Sequence, residues 1–468
     1  MTDTLTLLSR DSGETLIEQI TRSLIARIDD KLLRGGTRMP SIRQFAAQHR
    51  VSCFTVVASY DKLVARGYLE SRRGAGFFVR ERSSLNPPPS GVHAAGQPAL
   101  DVVWLVRNMF RQTPSDNMPG NGMLPPEFLD GGLVANALRD VSRHNPALLL
   151  NYGAPQGFLP LRQQLQLKLA ELEIAAAPEQ FVTTVGVTQA LDLVAREFTQ
   201  PGDTIFVDDP AWFLMFGSFA ALGLTVIGIP RLADGPDIAL LAQMAALHRP
   251  KLFVINSVVH NPTSTSVSAA KAFQVLRLSE QYGFIIVEDD IYCDLHPDNA
   301  RLAALDQLQR VIYLGGFSKT LSANLRVGFI ASSPERAQRL TDRKVLATLA
   351  SSDIGERVAY KVLSEGQFRK HVERVRGRLD KVREPTVRQI EQAGLKLLGA
   401  APQAGMFVWV DTGRDTNVLT EKALARGLLL APGSLFSPRQ LPSTCMRINI
   451  ATVQDGALWR FLQDELEQ

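Results

Sequence analysis

The sequence predicts an α/β protein in two parts: a small helical head closed by a β-hairpin, and a larger body built on a mainly parallel sheet. Three observations carry this prediction. Basic charge is concentrated at one end: residues 1–82 hold 14 Lys and Arg against 9 Asp and Glu, while the rest of the 468-residue chain holds 37 against 38. A stretch rich in proline, serine and glycine, RERSSLNPPPSGVHAAGQPAL at 80–100, divides the chain. Beyond it, short apolar runs alternate with helical stretches, as in parallel sheets covered on both faces.

Composition narrows the classes. With 45% hydrophobic and 21% charged residues, the chain reads as an ordinary globular protein, not a collagen, coiled coil or disordered chain. No apolar run approaches the roughly 18 residues of a membrane helix, and the first residues carry no signal pattern, so a cytoplasmic location is expected. Cys53, Cys293 and Cys445 lie far apart with no CxxC, which indicates neither a disulfide framework nor a metal site.

In the head, Leu16, Ile17, Ile20, Leu24, Ile28 and Leu32 recur at helical spacing, and Gly35-Gly36 is the expected stop. Ser41 is placed to cap a second helix from Ile42 to Gln48. After a break at His49-Arg50, Ser52 is placed to cap a third, with Val56, Val57, Tyr60, Leu63 and Val64 expected inside and Gly67 ending it. Tyr68 to Ser71 and Phe77 to Val79 read as strands around a tight turn that carries Arg72 and Arg73. Helix, break, helix and basic hairpin is the winged helix-turn-helix plan, in which the third helix enters the DNA major groove. The hairpin would then set its arginines beside phosphates or in the minor groove. A small helical domain that binds protein is the plainer alternative.

The stretch MPSIRQFAAQHRVSCFTVVASYDKLVARGYLESRRGAGFFV resembles the GntR family of bacterial regulators. The resemblance implies DNA contacts from Ser41, Arg43, Ser52, Thr55, Arg72 and Arg73. Cys53 stands where the family often has a basic residue, so a base preference does not carry over.

In the body, strands are predicted at Phe181–Val185, Thr204–Val207, Thr225–Ile229, Leu252–Asn256, Phe284–Glu288 and Val311–Leu314. Ligands of such sheets sit at the carboxyl ends of the strands. Those ends carry, in chain order, the helix-opening turn Gly186-Val187-Thr188, then Trp212, Asn261-Pro262, Asp289 with Tyr292, Ser318-Lys319 and Arg326. Each alone has an ordinary structural reading: a turn glycine, a core tryptophan, a helix-capping carboxylate, a solvated lysine. Together they are the parts that pyridoxal 5'-phosphate requires. Its aldehyde needs a lysine, its ring nitrogen a carboxylate, its phenolic oxygen hydrogen-bond donors and its ring face an aromatic. Its phosphate needs free N–H groups and an arginine.

From about Asn151 to the end, the body resembles the fold-type I aminotransferases of class I and II. With the head, the whole chain resembles the GntR/MocR regulators, a winged helix-turn-helix fused to an aminotransferase-like domain. The resemblance implies that Lys319 forms the Schiff base and that Asp289 partners the pyridine nitrogen. Tyr292 and Asn261 would donate to the phenolic oxygen, and Trp212 would stack on the ring. Gly186, Val187, Thr188 and Arg326 would hold the phosphate, and Ser318 would be a further cofactor contact. Tyr152, in NYGAPQGFLPLR, would reach the phosphate of a neighbouring subunit, and Arg447, in CMRINIA, would clamp a substrate carboxylate. Two residues depart from the pattern: Gly316 stands in place of a serine, and Ser264 in place of the glycine of NPTG.

The expected domains are a head at 1–80, a tether at 81–100, a large domain at 101–340 and a smaller α+β domain at 341–468. The expected function is transcriptional regulation by a homodimer, which the resemblance suggests is head-to-tail. Its body would sense the cofactor, or a small amino compound that forms an external aldimine with it. The partners are operator DNA, that small molecule and a second copy of the chain, with no membrane. A working aminotransferase with an accessory head is the alternative, and weak transamination is compatible with either. A relic body that binds no cofactor and serves only dimerisation is a third reading.

Overall fold

The computed structural model describes residues 13–81, 102–109, 117–144, 150–399 and 402–466. Most of the expected tether, 82–100, lies outside the described residues. The chain divides into two compact units, residues 1–97 and 98–468.

The first unit packs three helices and a hairpin around a small core in which Ile20, Leu24, Phe45, Val56, Tyr60 and Leu63 are buried. Its first helix, Leu16–Asp29, starts at Thr15, whose hydroxyl accepts from the Glu18 N–H, and it ends well before Gly35-Gly36. The chain turns at Lys31 (φ 58°), so Leu33 packs on the core and Leu32, expected inside, is 66% exposed. The second helix, Ile42–His49, opens with a reciprocal capping box between Ser41 and Gln44 and closes at Arg50 in the left-handed region. The third, Cys53–Ala65, is capped by Ser52. Val56, Tyr60 and Leu63 recur at i, i+4 and i+7 and form its buried stripe. Val57 lies about 100° around the helix from Val56 and is therefore exposed rather than inside. The strands β1 (Leu69–Arg72) and β2 (Gly76–Val79) pair antiparallel, with Leu69 opposite Val79 and Arg72 opposite Gly76.

The second unit is built on an eight-stranded sheet. Its strands are β3 (Phe181–Thr184), β4 (Thr204–Asp209), β5 (Thr225–Leu232), β6 (Gly235–Pro236), β7 (Leu252–Ile255), β8 (Ile285–Asp289), β9 (Val311–Gly316) and β10 (Gly328–Ala331). Their spatial order is β3-β10-β9-β8-β7-β4-β5-β6, parallel from β9 through to β5. All six predicted strands are present. The four-residue β10 was not expected; it inserts antiparallel between β3 and β9. The apolar runs do not alternate because both faces are covered. Ile205 and Val207 belong to one core cluster, and Phe206, between them, belongs to another.

A four-stranded antiparallel sheet follows: β11 (Lys396–Leu397), β12 (Phe407–Asp411), β13 (Ala431–Pro432) and β14 (Cys445–Asn449), ordered β11-β12-β14-β13. The segment around Gly120 bonds to this smaller sheet although it precedes the larger one in sequence. The Gly120 N–H donates to Leu429 O (2.8 Å), and the Asn449 amide nitrogen Nδ2 donates to Asn121 O (3.0 Å) and Met123 O (2.8 Å).

Candidate functional site

A cavity of about 620 Å³ opens beyond the carboxyl ends of β4, β7, β8 and β9. Lys319, Asp289, Tyr292, Asn261, Trp212, Val187, Thr188, Ser318, Arg326 and Arg447 all line it. These side chains come from positions up to 260 residues apart; most converge because parallel strands deliver their following loops to one edge, whereas Arg447 comes from β14 of the smaller, antiparallel sheet.

Strand alternation selects among three consecutive acids at the end of β8. Glu288 turns away and accepts from the Leu302 and Ala303 N–H groups at 2.9 and 2.8 Å. Asp290 also turns away, onto Arg301 Nε (2.9 Å) and Tyr313 Oη (2.8 Å). Asp289 alone of the three lines the cavity. Burial pushes its carboxyl up to about 7, opposed by the Ile291 N–H and by the charge of Lys319.

Lys319 Nζ donates to Gly122 O at 2.7 Å and lies 3.6 Å from Met123 Sδ. Burial, then the positive charge of Arg447, brings its amine down to about 8, with Asp289 opposing the shift. Its free-base fraction at neutral pH is therefore larger than that of a solvated lysine, as a nucleophilic amine requires.

Arg447, on β14, is buried with its guanidinium 4.3 Å from the Phe407 ring centroid and 5.0 Å from that of Phe436. Nη1 donates to Asn261 Oδ1 (2.8 Å) and Nη2 to Gly120 O (2.7 Å), while Nε has no hydrogen-bond partner among the described residues. Burial lowers this guanidinium to about 10. Tyr292 is buried beside it and hydrogen-bonded to the Asn261 side chain; desolvation holds its phenol well above the usual range, so it is a neutral donor.

At the far end, helix Gly186–Phe198 begins directly after β3, and its first N–H groups have no intrahelical acceptors. Arg326 Nη2 donates to Val185 O at 3.0 Å. Gly186 has φ +75°, and a Cβ there would stand 2.6 Å from Arg326 Nη2. The glycine therefore clears the seat of the guanidinium. Free N–H groups, an arginine, a buried carboxylate, a lysine of lowered basicity and the Trp212 ring form a donor set that fits pyridoxal phosphate. Lys319, Asp289, Tyr292, Asn261 and Arg326 are the groups that would hold it, and the cofactor would supply an electron sink.

Both departures from the expected pattern have local reasons. At Gly316 a Cβ would lie 3.1 Å from Ile291 Cδ1 and 3.2 Å from Val327 O, so a serine would crowd the neighbouring strand. Ser264 keeps a left-handed backbone (φ 55°) and donates from Oγ to Phe407 O at 2.8 Å, which ties its loop to the smaller sheet. Tyr152 does not line the main cavity. It is 84% exposed, beside a separate hollow that includes Asp353 and Arg357.

Local patterns did not mark several wall residues. Val106 and Met109, on helix Val102–Met109, and Gly122 and Met123 close one side of the cavity. Asp208 and His260 also line it, and Asp208 pairs with buried Arg231 at 3.0 Å. In sequence, Val106 and Met109 are an ordinary i, i+3 apolar pair, and Arg231 is a lone charge near a strand end.

In the first unit, the Ser41 and Ser52 hydroxyls accept from the Gln44 and Thr55 N–H groups at 3.3 and 3.0 Å. Ser52 Oγ also lies 2.8 Å from Thr55 Oγ1. Arg43 and Arg73 are exposed. Arg72 is held by Glu70 (Nη2 at 2.6 Å) and stacks over Phe78 at 4.5 Å. Phe54, 77% exposed at the start of the third helix, was not singled out.

Residues 130–464 match the family described as aminotransferase class I and II. The chain belongs to that family. Residues 16–79 match the bacterial regulatory proteins of the gntR family, so this aminotransferase-like body carries a GntR-type head. Among relatives, the chain is 28% identical to the uncharacterized HTH-type transcriptional regulator YdfD of Bacillus subtilis, over 89% of each chain. It is also 28% identical to the probable rhizopine catabolism regulatory protein MocR of Rhizobium meliloti, over 79% of this chain and 76% of the relative. Among solved structures, it resembles the α-aminoadipate aminotransferase LysN of Thermus thermophilus, complexed with N-(5'-phosphopyridoxyl)-L-leucine. That similarity has a TM-score of 0.70 and 26% identity, and covers 78% of this chain and 94% of LysN. No described helix is long and apolar enough to cross a membrane.

Proposed function

We propose that this DNA-binding regulator of the GntR/MocR type holds pyridoxal phosphate in its body and uses it to sense a small amino compound. The observation that carries the reading is that Lys319 and Arg447 line one cavity, in a chain whose other unit is a GntR-type head. An amine group can meet the Lys319 end while a carboxylate meets Arg447, whose two-pronged geometry suits it. Ligand contact with Arg447 would compete with Asn261 and Gly120 and so bias the segment that joins the cavity to the smaller sheet.

The finer assignments belong to the same proposal. Residues 1–80 are the DNA reader, 81–100 the tether, 101–340 the large domain and 341–468 the small one. Ser41, Arg43, Ser52, Thr55, Arg72 and Arg73 form the DNA face. The exposure of Tyr152 suits contact with a second copy of the chain, and a homodimer would offer two heads to two half-sites.

The test is an absorbance titration of the full chain with pyridoxal phosphate, followed by candidate amines, with operator binding measured in parallel. A visible band that disappears in Lys319→Ala, weakens in Asp289→Ala and changes with an amine that also alters DNA affinity is the expected result. A protein that stays colourless at saturation overturns the reading. Sustained cycling of amino donors and keto acceptors, with no effect of amines on DNA binding, would instead establish an enzyme.

A further inference from the structure

We propose that the compound read by this pocket is an α-amino acid with an apolar side chain, received by a wall made of Val106, Met109 and Met123. The inference rests on the sensor reading above and names its ligand class.

Two groups set the axis of such a ligand, Arg447 for the carboxylate and Lys319 for the amine end. The buried Nε of Arg447 has no partner among the described residues, which marks the guanidinium as incompletely satisfied without a ligand. The space between the two groups is walled by methionine. Met123 Sδ lies 3.6 Å from Lys319 Nζ. A Cβ built on Gly122 would stand 3.4 Å from Met109 Cε and 3.5 Å from Arg447 Nη2, so that methyl and the guanidinium flank the same glycine. Val106 precedes Met109 by three residues on one helix, faces the same way and also lines the cavity. A ligand that spans Arg447 and Lys319 therefore presents its side chain to apolar groups.

The charges of the described lining disfavour the other main classes. Its described lining contains three Lys or Arg residues: Lys319, Arg326 and Arg447. Arg326 is drawn to the helix start at Val185 O, and the other two are engaged by the amine and the first carboxylate. His260, deeply buried, stays neutral. Among the described residues, no further cation lines the cavity for a second carboxylate, which would also share it with Asp208 and Asp289. A cationic side chain would exchange water for thioether, at a desolvation cost. Methionine is flexible and polarisable, so the wall suits aliphatic, thioether and aromatic side chains alike.

The experiment titrates the full chain, loaded with pyridoxal phosphate, with leucine, methionine and phenylalanine on one side and aspartate, glutamate and lysine on the other. It reads visible absorbance and the thermal midpoint. Half-saturation by the apolar set is expected at concentrations at least tenfold lower. Met109→Arg is expected to move the preference at least tenfold toward glutamate and aspartate, while Met109→Gln weakens the apolar set without that gain. Cofactor absorbance of each variant is recorded first, and Met123→Arg serves if Met109→Arg fails to fold. Preference of the native chain for acidic or basic amino acids, with the spectral response intact, overturns this inference and leaves the sensor reading standing. A coloured protein that no amino acid of any class perturbs overturns both.

Discussion

Arg447 Nη1 donates to Asn261 Oδ1 at 2.8 Å, and this bond joins the smaller sheet to the loop that follows β7. The sequence reading gives the two residues separate tasks, one toward a substrate carboxylate and one toward the cofactor's phenolic oxygen. In the folded chain they hold each other. On the proposed roles, a carboxylate that draws Arg447 away would change what Asn261 can offer, and ligand recognition and cofactor binding would share one hydrogen-bond chain.

Arg447→Lys tests the carboxylate contact. Lysine keeps the charge but cannot present two parallel donors. Amino-acid affinity is expected to fall about tenfold or more, the scale of a lost charge-assisted bond of roughly 1.5–3 kcal/mol. Cofactor absorbance should persist. Spectral titration of both proteins checks this, and equal affinities would remove Arg447 from the ligand site.

The lowered basicity of Lys319 has a pH signature. The amine is protonated below its value of about 8 and free above it. Capture of pyridoxal phosphate is expected to accelerate as pH rises through 7 to 9 and then level off. Arg447 is one cause of the lowering, so Arg447→Gln should move the midpoint of that curve upward. Stopped-flow absorbance at a series of pH values measures both.

Gly186→Ala should weaken cofactor retention. The new Cβ would collide with Arg326 Nη2, and the φ of +75° costs a non-glycine residue about 1 kcal/mol. Faster loss of colour on dialysis and a slightly lower thermal midpoint are expected. An unchanged dialysis rate would mean that this helix start does not hold the phosphate.

In the head, contact and scaffold can be separated. Ser41→Ala removes half of a capping box and is expected to lower stability by about 1 kcal/mol, read by denaturant melting of the full chain's first transition. Arg43→Ala should leave that transition in place and reduce the slope of log affinity against log salt by about 1. If both variants bind DNA as the native chain does over the whole salt range, the second helix is not part of the DNA face.

What could be read from the sequence was local. Six strands of the larger sheet, the three helices and hairpin of the head, with the caps of the second and third, and the residues at each strand end follow from apolar runs, turn chemistry and capping signals that span only a few neighbours. Leu32 and Val57 went astray because a turn at Lys31 and the phase of one helix decide which face is inside. β10 follows Arg326 without a helical stretch between, so the alternation of strand and helix does not announce it, and no local pattern says that it enters between β3 and β9.

Sequence by itself therefore determined the kinds of element, the order of the chemical groups and the match of lysine, acid and arginine to one cofactor. Tertiary structure alone decided that Asn261 restrains Arg447 and that Val106, Met109 and Met123 wall the space beside Lys319. It also decided that Asp290 is neutralised by Arg301 while Asp289 faces the cavity. The physical reason is distance along the chain. A cap or an apolar stripe is written within one helical turn, whereas a pocket is assembled from residues hundreds of positions apart, whose meeting depends on sheet order and packing.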